Sequence, residues 1–203
     1  ISDQIPGRDV GPLWSTYIHQ KGSALGLPVS GSFELTPRCN FNCKMCYVHQ
    51  TAEQVAASGR REMTAEEWLD IARQAKDAGM VFLLLTGGEP LLFPEFPRLL
   101  HELKQMGLLV SVNSNGSLIR GELLETLKKD PPLRFNITLY GGSDAAYERL
   151  CGRPAFHQVV DNIRALKEAG ISVRLNASIT PYNKDDVQDI FRIGRELGVH
   201  VKS

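Results

Sequence analysis

Apolar residues along this chain follow two spacings in turn, one typical of strands and one typical of amphipathic helices. Residues 80–85 form a continuous apolar run, which predicts a strand that is covered on both faces. Trp68 and Ile71 recur at helical spacing behind Thr64 and Glu67, which have the spacing of a capping box. The pattern therefore predicts strands and helices in alternation.

Strand-like runs alternate with helical stripes along most of the chain, and glycines mark many of the boundaries. The predicted strands are 30–36, 80–85, 108–112, 133–139, 171–179 and 199–201. The predicted helices are 64–79, 96–107, 118–129, 143–150, 156–169 and 184–197. Short connections between alternating strands and helices predict a parallel sheet. About six strands are too few for a closed barrel of eight, so an open barrel or a doubly wound sheet is expected.

The remaining segments predict little regular structure. Residues 1–29 are rich in Pro and Gly, and we expect them to form a lead-in wrapped on the surface. Residues 50–63 are mostly small and polar, which predicts a linker. The core domain is therefore expected to span residues 30–203. Because the chain stops just after its last predicted strand, we expect a further C-terminal piece to be absent from it.

The composition excludes some classes of protein. With 203 residues, 42% of them hydrophobic and 23% charged, the chain resembles an ordinary globular protein. The 23 Lys and Arg residues balance the 23 Asp and Glu residues, so no net charge attracts nucleic acid or an anionic membrane. No apolar run approaches the roughly 20 residues that span a bilayer. We expect no nucleic-acid or membrane partner, and clustered cysteines without a disulfide framework favour the reducing cytoplasm.

Three of the four cysteines, Cys39, Cys43 and Cys46, lie within one short segment at the spacing C-x3-C-x2-C. Thiolates on a short loop can converge on a soft metal centre. Iron–sulfur clusters usually take four thiolates, so three would leave one iron open to another ligand. A Cys3His zinc site that includes His49 is an alternative, as is a disulfide with a spare thiol. Cys151 is distant in sequence and is interpreted as a buried or idle thiol.

Small and polar residues follow most of the predicted strands. In parallel βα folds, ligands bind at the carboxyl ends of the strands. Gly87 and Gly88 allow the backbone to approach a ligand closely, and Glu89 can accept a hydrogen bond from an ammonium group. Further candidate groups at strand ends are Ser114, Asn115, Thr138 and Asn176. This agreement in position is stronger evidence for a site than any single motif.

The cysteine motif, followed by Gly-Gly-Glu-Pro after the next strand, resembles the radical S-adenosylmethionine (SAM) superfamily. The resemblance covers roughly residues 30–201. The segments 33–39 and 147–149 are similar to enzymes that carry a C-terminal SPASM or twitch auxiliary-cluster domain. That subgroup includes maturases of ribosomal peptides and of anaerobic sulfatases. The fold implied is α/β, a partial (β/α)6 barrel of parallel strands.

By this resemblance, Cys39, Cys43 and Cys46 would each bind an iron of a [4Fe–4S] cluster. SAM would chelate the fourth iron through its amino and carboxylate groups. The expected SAM contacts are Gly87, Gly88 and Glu89 at the amino group, Ser114 and Asn115 near the ribose, Thr138 and Asn176 nearby, and Arg149 near the carboxylate.

The same resemblance implies a radical SAM enzyme that acts on a peptide or protein. It also implies a ferredoxin- or flavodoxin-type electron donor. A small-molecule substrate and a non-catalytic zinc module are the alternatives. Two residues depart from the pattern of the family. Met45 stands where an aromatic residue is usual, and Tyr140 stands where an acid is usual.

Overall fold

The fold is a single parallel sheet whose six strands lie in the same order as in the sequence. The computed structural model describes residues 14–48, 50–59 and 61–202. The strands are β1 (Ser30–Glu34), β2 (Phe82–Thr86), β3 (Leu109–Ser114), β4 (Arg134–Thr138), β5 (Val173–Asn176) and β6 (Val201–Lys202). A doubly wound sheet would reverse its strand order, and this one does not. The prediction of a partial (β/α)6 barrel is confirmed.

Helices connect successive strands and precede the first one. They are α1 (Trp14–Ala24), α2 (Ala52–Ala57), α3 (Ala65–Asp77), α4 (Phe96–Gln105), α5 (Gly121–Lys129), α6 (Asp144–Cys151), α7 (Phe156–Glu168) and α8 (Val187–Glu196). The predicted capping box of α3 is present, with Thr64 and Glu67 each satisfying the other's backbone amide. None of the described helices is long and apolar enough to cross a membrane.

Two segments for which the sequence pattern predicted little regular structure contain helices. Helix α1 lies within the predicted lead-in, whose residues 1–13 fall outside the described chain. Helix α2 lies within the predicted linker, where Thr51 and Gln54 form a second capping box. A capping box can hold one short helix without an apolar stripe, which is why the periodicity of the sequence missed α2.

The sheet is buried on one face only, so the prediction that 80–85 is covered on both faces is wrong. In β2, Leu83 and Leu85 are buried, whereas Leu84 is half-buried. The buried face packs on the helices, as in the stacking of Phe33 on Trp68 of α3. Side chains along each strand point alternately to this face and to the opposite one. The opposite face is mostly polar and carries Ser32, Glu34, Ser111, Asn113, Asn136 and Thr138.

Other boundaries move by a few residues. Strand β5 is shorter than predicted, α5 begins three residues later, and a 3₁₀ turn, Lys184–Asp186, precedes α8. Such shifts are common because chain ends fray. They leave the carboxyl ends of β1 to β4 side by side, where the candidate residues lie.

Candidate functional site

A cavity of about 460 Å³ opens at the carboxyl ends of β1 to β4. Its wall includes the three motif cysteines and residues from the next three strand ends, among them Cys39, Cys43, Cys46, Gly87, Ser114 and Thr138. The cysteine loop and the glycine turn therefore lie on the same side of the sheet. The structure brings together the candidates that the sequence placed at four successive strand ends.

The three motif cysteines border this cavity, and none of them forms a disulfide with another described cysteine. Cys39 and Cys43 are half-buried, and Cys46 is exposed. No three described His, Cys, Asp or Glu side chains converge on a single ion. His49, the fourth ligand of the alternative zinc site, lies outside the described residues. A cluster takes each thiolate on a different iron, so three separate sulfurs along one cavity wall are a suitable donor set for it.

The glycine turn packs against the backbone that leads into the cysteine loop. Gly88 N–H donates to the carbonyl of Thr36 at 2.7 Å, and Glu89 N–H donates to that of Arg38 at 2.8 Å. A Cβ at Gly88 would lie 2.3 Å from the carbonyl oxygen of Arg38. Gly87 has a φ of 134°, which also favours glycine. Both glycines are therefore needed for the contact between two turns, in addition to any approach to a ligand.

The carboxylate of Glu89 is fully buried beneath the cavity and joins two strand ends. It accepts hydrogen bonds from Ser114 Oγ at 2.9 Å, Asn115 N–H at 2.8 Å and Leu91 N–H at 3.2 Å. Burial raises its pKa to about 7, although these hydrogen bonds oppose the rise. Glu89 thus connects the turns that follow β2 and β3, and its side chain is not part of the cavity wall.

Asn115 ties the turn after β3 to the cysteine loop. Its side-chain amide donates to Asn40 Oδ1 at 2.9 Å and to Cys39 Sγ at 3.7 Å. Asn40 in turn donates to Ser117 Oγ at 2.8 Å. Burial, the largest cause, raises the pKa of Cys39 to about 11. No pattern in the sequence indicated Asn40, because its partners Asn115 and Ser117 follow another strand.

Helix α6 holds the other side of the cysteine loop. The amides of Asn42 and Lys44 donate to the carbonyls of Cys151 and Leu150, both at 3.0 Å. These carbonyls lie in the last turn of the helix, where they lack partners within it. Cys151 is buried, as predicted, but it also adjoins Cys43, a contact that the sequence did not indicate.

Aromatic side chains form the wall next to Cys43. The ring of Phe41 lies edge-on to Tyr140 and Tyr147, with centroids 6.5 and 6.4 Å away. Tyr140 also lines the cavity and lies edge-on to Tyr147 at 5.8 Å. This wall excludes water from one side of the site.

Besides Glu89, two further candidates lie outside the cavity wall. Arg149 is half-exposed, pairs with Asp186 at 2.9 Å and donates to the carbonyl of Tyr182 at 3.2 Å. Asn176 ends β5 beside Thr138 in register, but it is not part of the cavity wall. Ser114, Asn115 and Thr138 do border the cavity. The roles of all the candidate residues at SAM, including Arg149 and Asn176, stay predictions.

A partial (β/α)6 barrel that carries three cysteine thiols beside a Gly-Gly-Glu turn defines a class of cluster-binding proteins. The model of the Radical SAM superfamily matches residues 33–193. The chain therefore belongs to the radical SAM superfamily. A [4Fe–4S] cluster and SAM are its cofactors.

Individual relatives differ in their names and chemistry. The chain is 27% identical over 168 residues to the AdoMet-dependent heme synthase of Methanosarcina barkeri, covering 82% of this chain and 47% of that protein. It is 31% identical over 198 residues to the sporulation killing factor maturation protein SkfB of Bacillus subtilis, covering 90% of this chain and 46% of that protein. The chain thus spans about half the length of these relatives.

The fold is also that of a solved structure. Streptococcus suis SuiB bound to its precursor peptide SuiA superposes with a TM-score of 0.73 at 20% identity. The match covers 98% of this chain and 46% of that one. At this identity the likeness concerns the fold.

Proposed function

We propose that this chain is the SAM-cleaving core of a radical SAM enzyme that acts on a peptide or protein. Cys39, Cys43 and Cys46 would hold the [4Fe–4S] cluster, and SAM would bind beside it in the same cavity. When bound and reduced, these cofactors would supply one-electron cleavage of SAM to methionine and a 5′-deoxyadenosyl radical, which would take a hydrogen atom from the substrate. The observation that carries this proposal is the shared cavity of the three thiols and the glycine turn.

The residues of the chain orient SAM and keep its surroundings dry. Gly87, Gly88 and Thr138 line the cavity, and so does Ser114, whose hydroxyl donates to Glu89. Glu89 acts mainly as a brace that fixes the amides of Asn115 and Leu91. A closed, dry site protects a radical from side reactions.

SAM cleavage is tested with the anaerobically reconstituted chain, SAM and a chemical reductant. We expect 5′-deoxyadenosine from the wild type and none after Cys39, Cys43 and Cys46 are all changed to Ala. Asn42→Ala is a control on the same loop, because Asn42 contributes its backbone amide to the anchor. Cleavage by the triple variant, or zinc without iron and sulfide in the purified protein, would contradict the proposal and favour the zinc module.

The peptide substrate is supported by SkfB, named as a maturation protein, and by SuiB, whose structure holds a precursor peptide. The heme synthase relative favours a small molecule instead. To separate the two, the full-length protein is given either deuterated peptides or deuterated metabolites below about 1 kDa, both from the source cells. Deuterium in 5′-deoxyadenosine from the peptide fraction alone supports a peptide substrate, and deuterium from the metabolite fraction alone refutes it.

We further propose that a ferredoxin- or flavodoxin-type protein supplies the electron. A second groove of about 470 Å³ is bordered by Cys39 together with Arg38 and Arg153. Arg38 is paired with Glu62 at 2.7 Å, whereas Arg153 is exposed and donates to the carbonyl of Asn40 at 3.1 Å. Such donors are generally acidic, so the guanidinium of Arg153 near a ligand sulfur favours their docking. Arg153→Glu should slow reduction by a flavodoxin in stopped-flow absorbance but not reduction by a small chemical reductant. Equal rates for both would contradict this docking surface.

A further inference from the structure

The side chain of Asn115 belongs to a closed ring of three hydrogen bonds. Its amide N–H donates to Asn40 Oδ1 at 2.9 Å, and Asn40 Nδ2 donates to Ser117 Oγ at 2.8 Å. Ser117 Oγ closes the ring by donating to Asn115 Oδ1 at 2.7 Å. Each bond in such a ring polarises the next one. The ring joins the turn after β3 to the cysteine loop and fixes the orientation of the Asn115 amide.

Helix α7 anchors the same turn. Gln158 Nε2 donates to the carbonyl of Ser117 at 2.6 Å, and Asn162 Nδ2 donates to the carbonyl of Gly116 at 2.8 Å. Asn162 is buried, so breaking its bond would leave a polar group without a partner away from water. The turn after β3 is therefore held by α7 as well as by its ring with the cysteine loop.

Every hydrogen-bonding position of the Asn115 side chain is occupied. Its oxygen accepts from Ser117 N–H at 2.9 Å as well as from Ser117 Oγ. Its nitrogen donates to Cys39 Sγ at 3.7 Å as well as to Asn40. An amide side chain has two donor hydrogens and two acceptor lone pairs, so none is left for the ribose of SAM. Asn115 is only 6% exposed, and its amide serves the cysteine loop.

The sulfur of Cys39 thus accepts hydrogen bonds from two parts of the chain. Phe41 N–H donates to it at 3.4 Å from within the cysteine loop, and Asn115 donates to it from the turn after β3. Bonds to sulfur are longer than bonds to oxygen because the sulfur atom is larger. The backbone donor stays in any variant, whereas the side-chain donor can be removed by substitution.

We propose that Asn115 is a positioning residue that donates a hydrogen bond to the Cys39 sulfur in the loaded protein and raises the reduction potential of the cluster. This inference rests on the proposed function, in which Cys39 binds the cluster. Reduction adds a negative charge that spreads onto the ligand sulfurs, so a donor to a sulfur stabilises the reduced cluster more than the oxidised one. Asn40 and Ser117 hold the amide in place for this bond.

The test is a redox titration of the anaerobically reconstituted chain without SAM, followed by the EPR signal of the reduced cluster. Asn115→Ala removes the side-chain donor. We expect it to lower the reduced-to-oxidised ratio at a fixed potential about fivefold, which is a shift of about 41 mV to more negative potential. Ser117→Ala keeps Asn115 but removes one bond of the ring, so its potential should shift in the same direction by a smaller amount.

Asn136→Ala is the matched control. It also removes an amide that donates to another asparagine, Asn113 at 2.9 Å, but Asn136 has no hydrogen bond to a cysteine. Its potential should equal that of the wild type. Calorimetric titration of SAM into the oxidised protein should give similar dissociation constants for the wild type and Asn115→Ala, because the amide does not contact the ribose.

The inference is overturned if Asn115→Ala keeps the wild-type potential, or if Asn136→Ala shifts the potential as far. Weaker SAM binding by Asn115→Ala at an unchanged potential would also overturn it and assign Asn115 to SAM. If Asn115→Ala loses its iron, Ser117→Ala decides, and a wild-type potential in that variant overturns the inference. Cys39→Ala tests the underlying assignment separately. A full cluster in that variant would show that Cys39 is not a ligand, and the proposed function would then fail.

Discussion

Gly88 occupies the tightest backbone contact of the site. Its missing side chain lets two turns meet through the bonds of Gly88 N–H to Thr36 and Glu89 N–H to Arg38. The obstacle to a larger residue is a carbonyl oxygen of the main chain, which cannot rotate away as a side chain can. The position therefore demands glycine whether or not SAM is bound.

Gly88→Ala should lower the free energy of unfolding by about 3 kcal/mol, because the new Cβ overlaps backbone. Gly31→Ala is the matched control, since a Cβ there would meet only Met80 Sδ, at 2.9 Å, near the end of a flexible side chain. For Gly31→Ala we expect the free energy of unfolding to fall by about 1 kcal/mol or less. Urea unfolding of the cluster-free chain measures both. An equal loss of unfolding free energy in the two variants would show that the backbone around Gly88 accommodates a side chain at little cost.

Glu89 should make stability depend on pH. Its folded pKa of about 7 lies above the usual value of 4.5, so the folded chain binds the proton more tightly than the unfolded chain. This contribution is complete below about pH 4.5 and is lost as the pH rises through 7. In Glu89→Gln the contribution is absent.

The free energy of unfolding of the wild type, minus that of Glu89→Gln, should therefore fall by about 3 kcal/mol at most between pH 4.5 and 8. Urea unfolding at several pH values gives this difference, and subtraction removes the histidines and other groups common to both proteins. A difference that rises with pH would mean that the hydrogen bonds from Ser114 and Asn115 outweigh burial.

At the scale of elements, the two capping boxes have unequal consequences. Helix α3 buries Leu69 and Ala72 completely, whereas α2 has six residues and no buried side chain among those described. Fraying of α3 would expose core side chains to water, whereas fraying of α2 would not.

Thr64→Ala should reduce the free energy of unfolding by about 1 kcal/mol, the usual effect of losing a threonine cap. Thr51→Ala should change it by less than about 0.5 kcal/mol, because α2 can open locally. Urea unfolding compares the two variants. An equal loss from Thr51→Ala would indicate that α2 folds as part of the core.

The sequence predicted strands where it has an apolar run. It predicted helices where apolar residues recur at helical spacing, with or without a capping box. It missed α1 and α2 because neither has a wide apolar face. It placed the cysteine loop and the glycine turn correctly, since parallel strands bring their carboxyl ends together. It could not pair Asn40 with Asn115 or Cys43 with Cys151, because each pair joins distant parts of the chain through a contact that follows no local spacing.

At the scale of the whole molecule, the cluster should stabilise one end of the sheet. Removing iron with a chelator should increase hydrogen exchange in residues 39–46, whose amides are fixed by only a few loop bonds. Residues 187–196 of α8 are distant in the strand order and should exchange as before. Hydrogen-exchange mass spectrometry of the loaded and chelated chain measures both segments. An equal increase in both would mean that the sheet loosens as one unit.

The anchorage of the cysteine loop on α6 also bears on synthesis. Strands β1 to β3 can pair as they leave the ribosome, since each is adjacent to the next one made. The carbonyls that hold Asn42 and Lys44 belong to residues 151 and 150, which are translated more than one hundred positions later. A nascent chain that has made β3 thus carries its three thiols on a loop that the glycine turn holds at its start but that has no partner yet for the amides of Asn42 and Lys44. Cluster insertion is therefore favoured only after α6 has emerged.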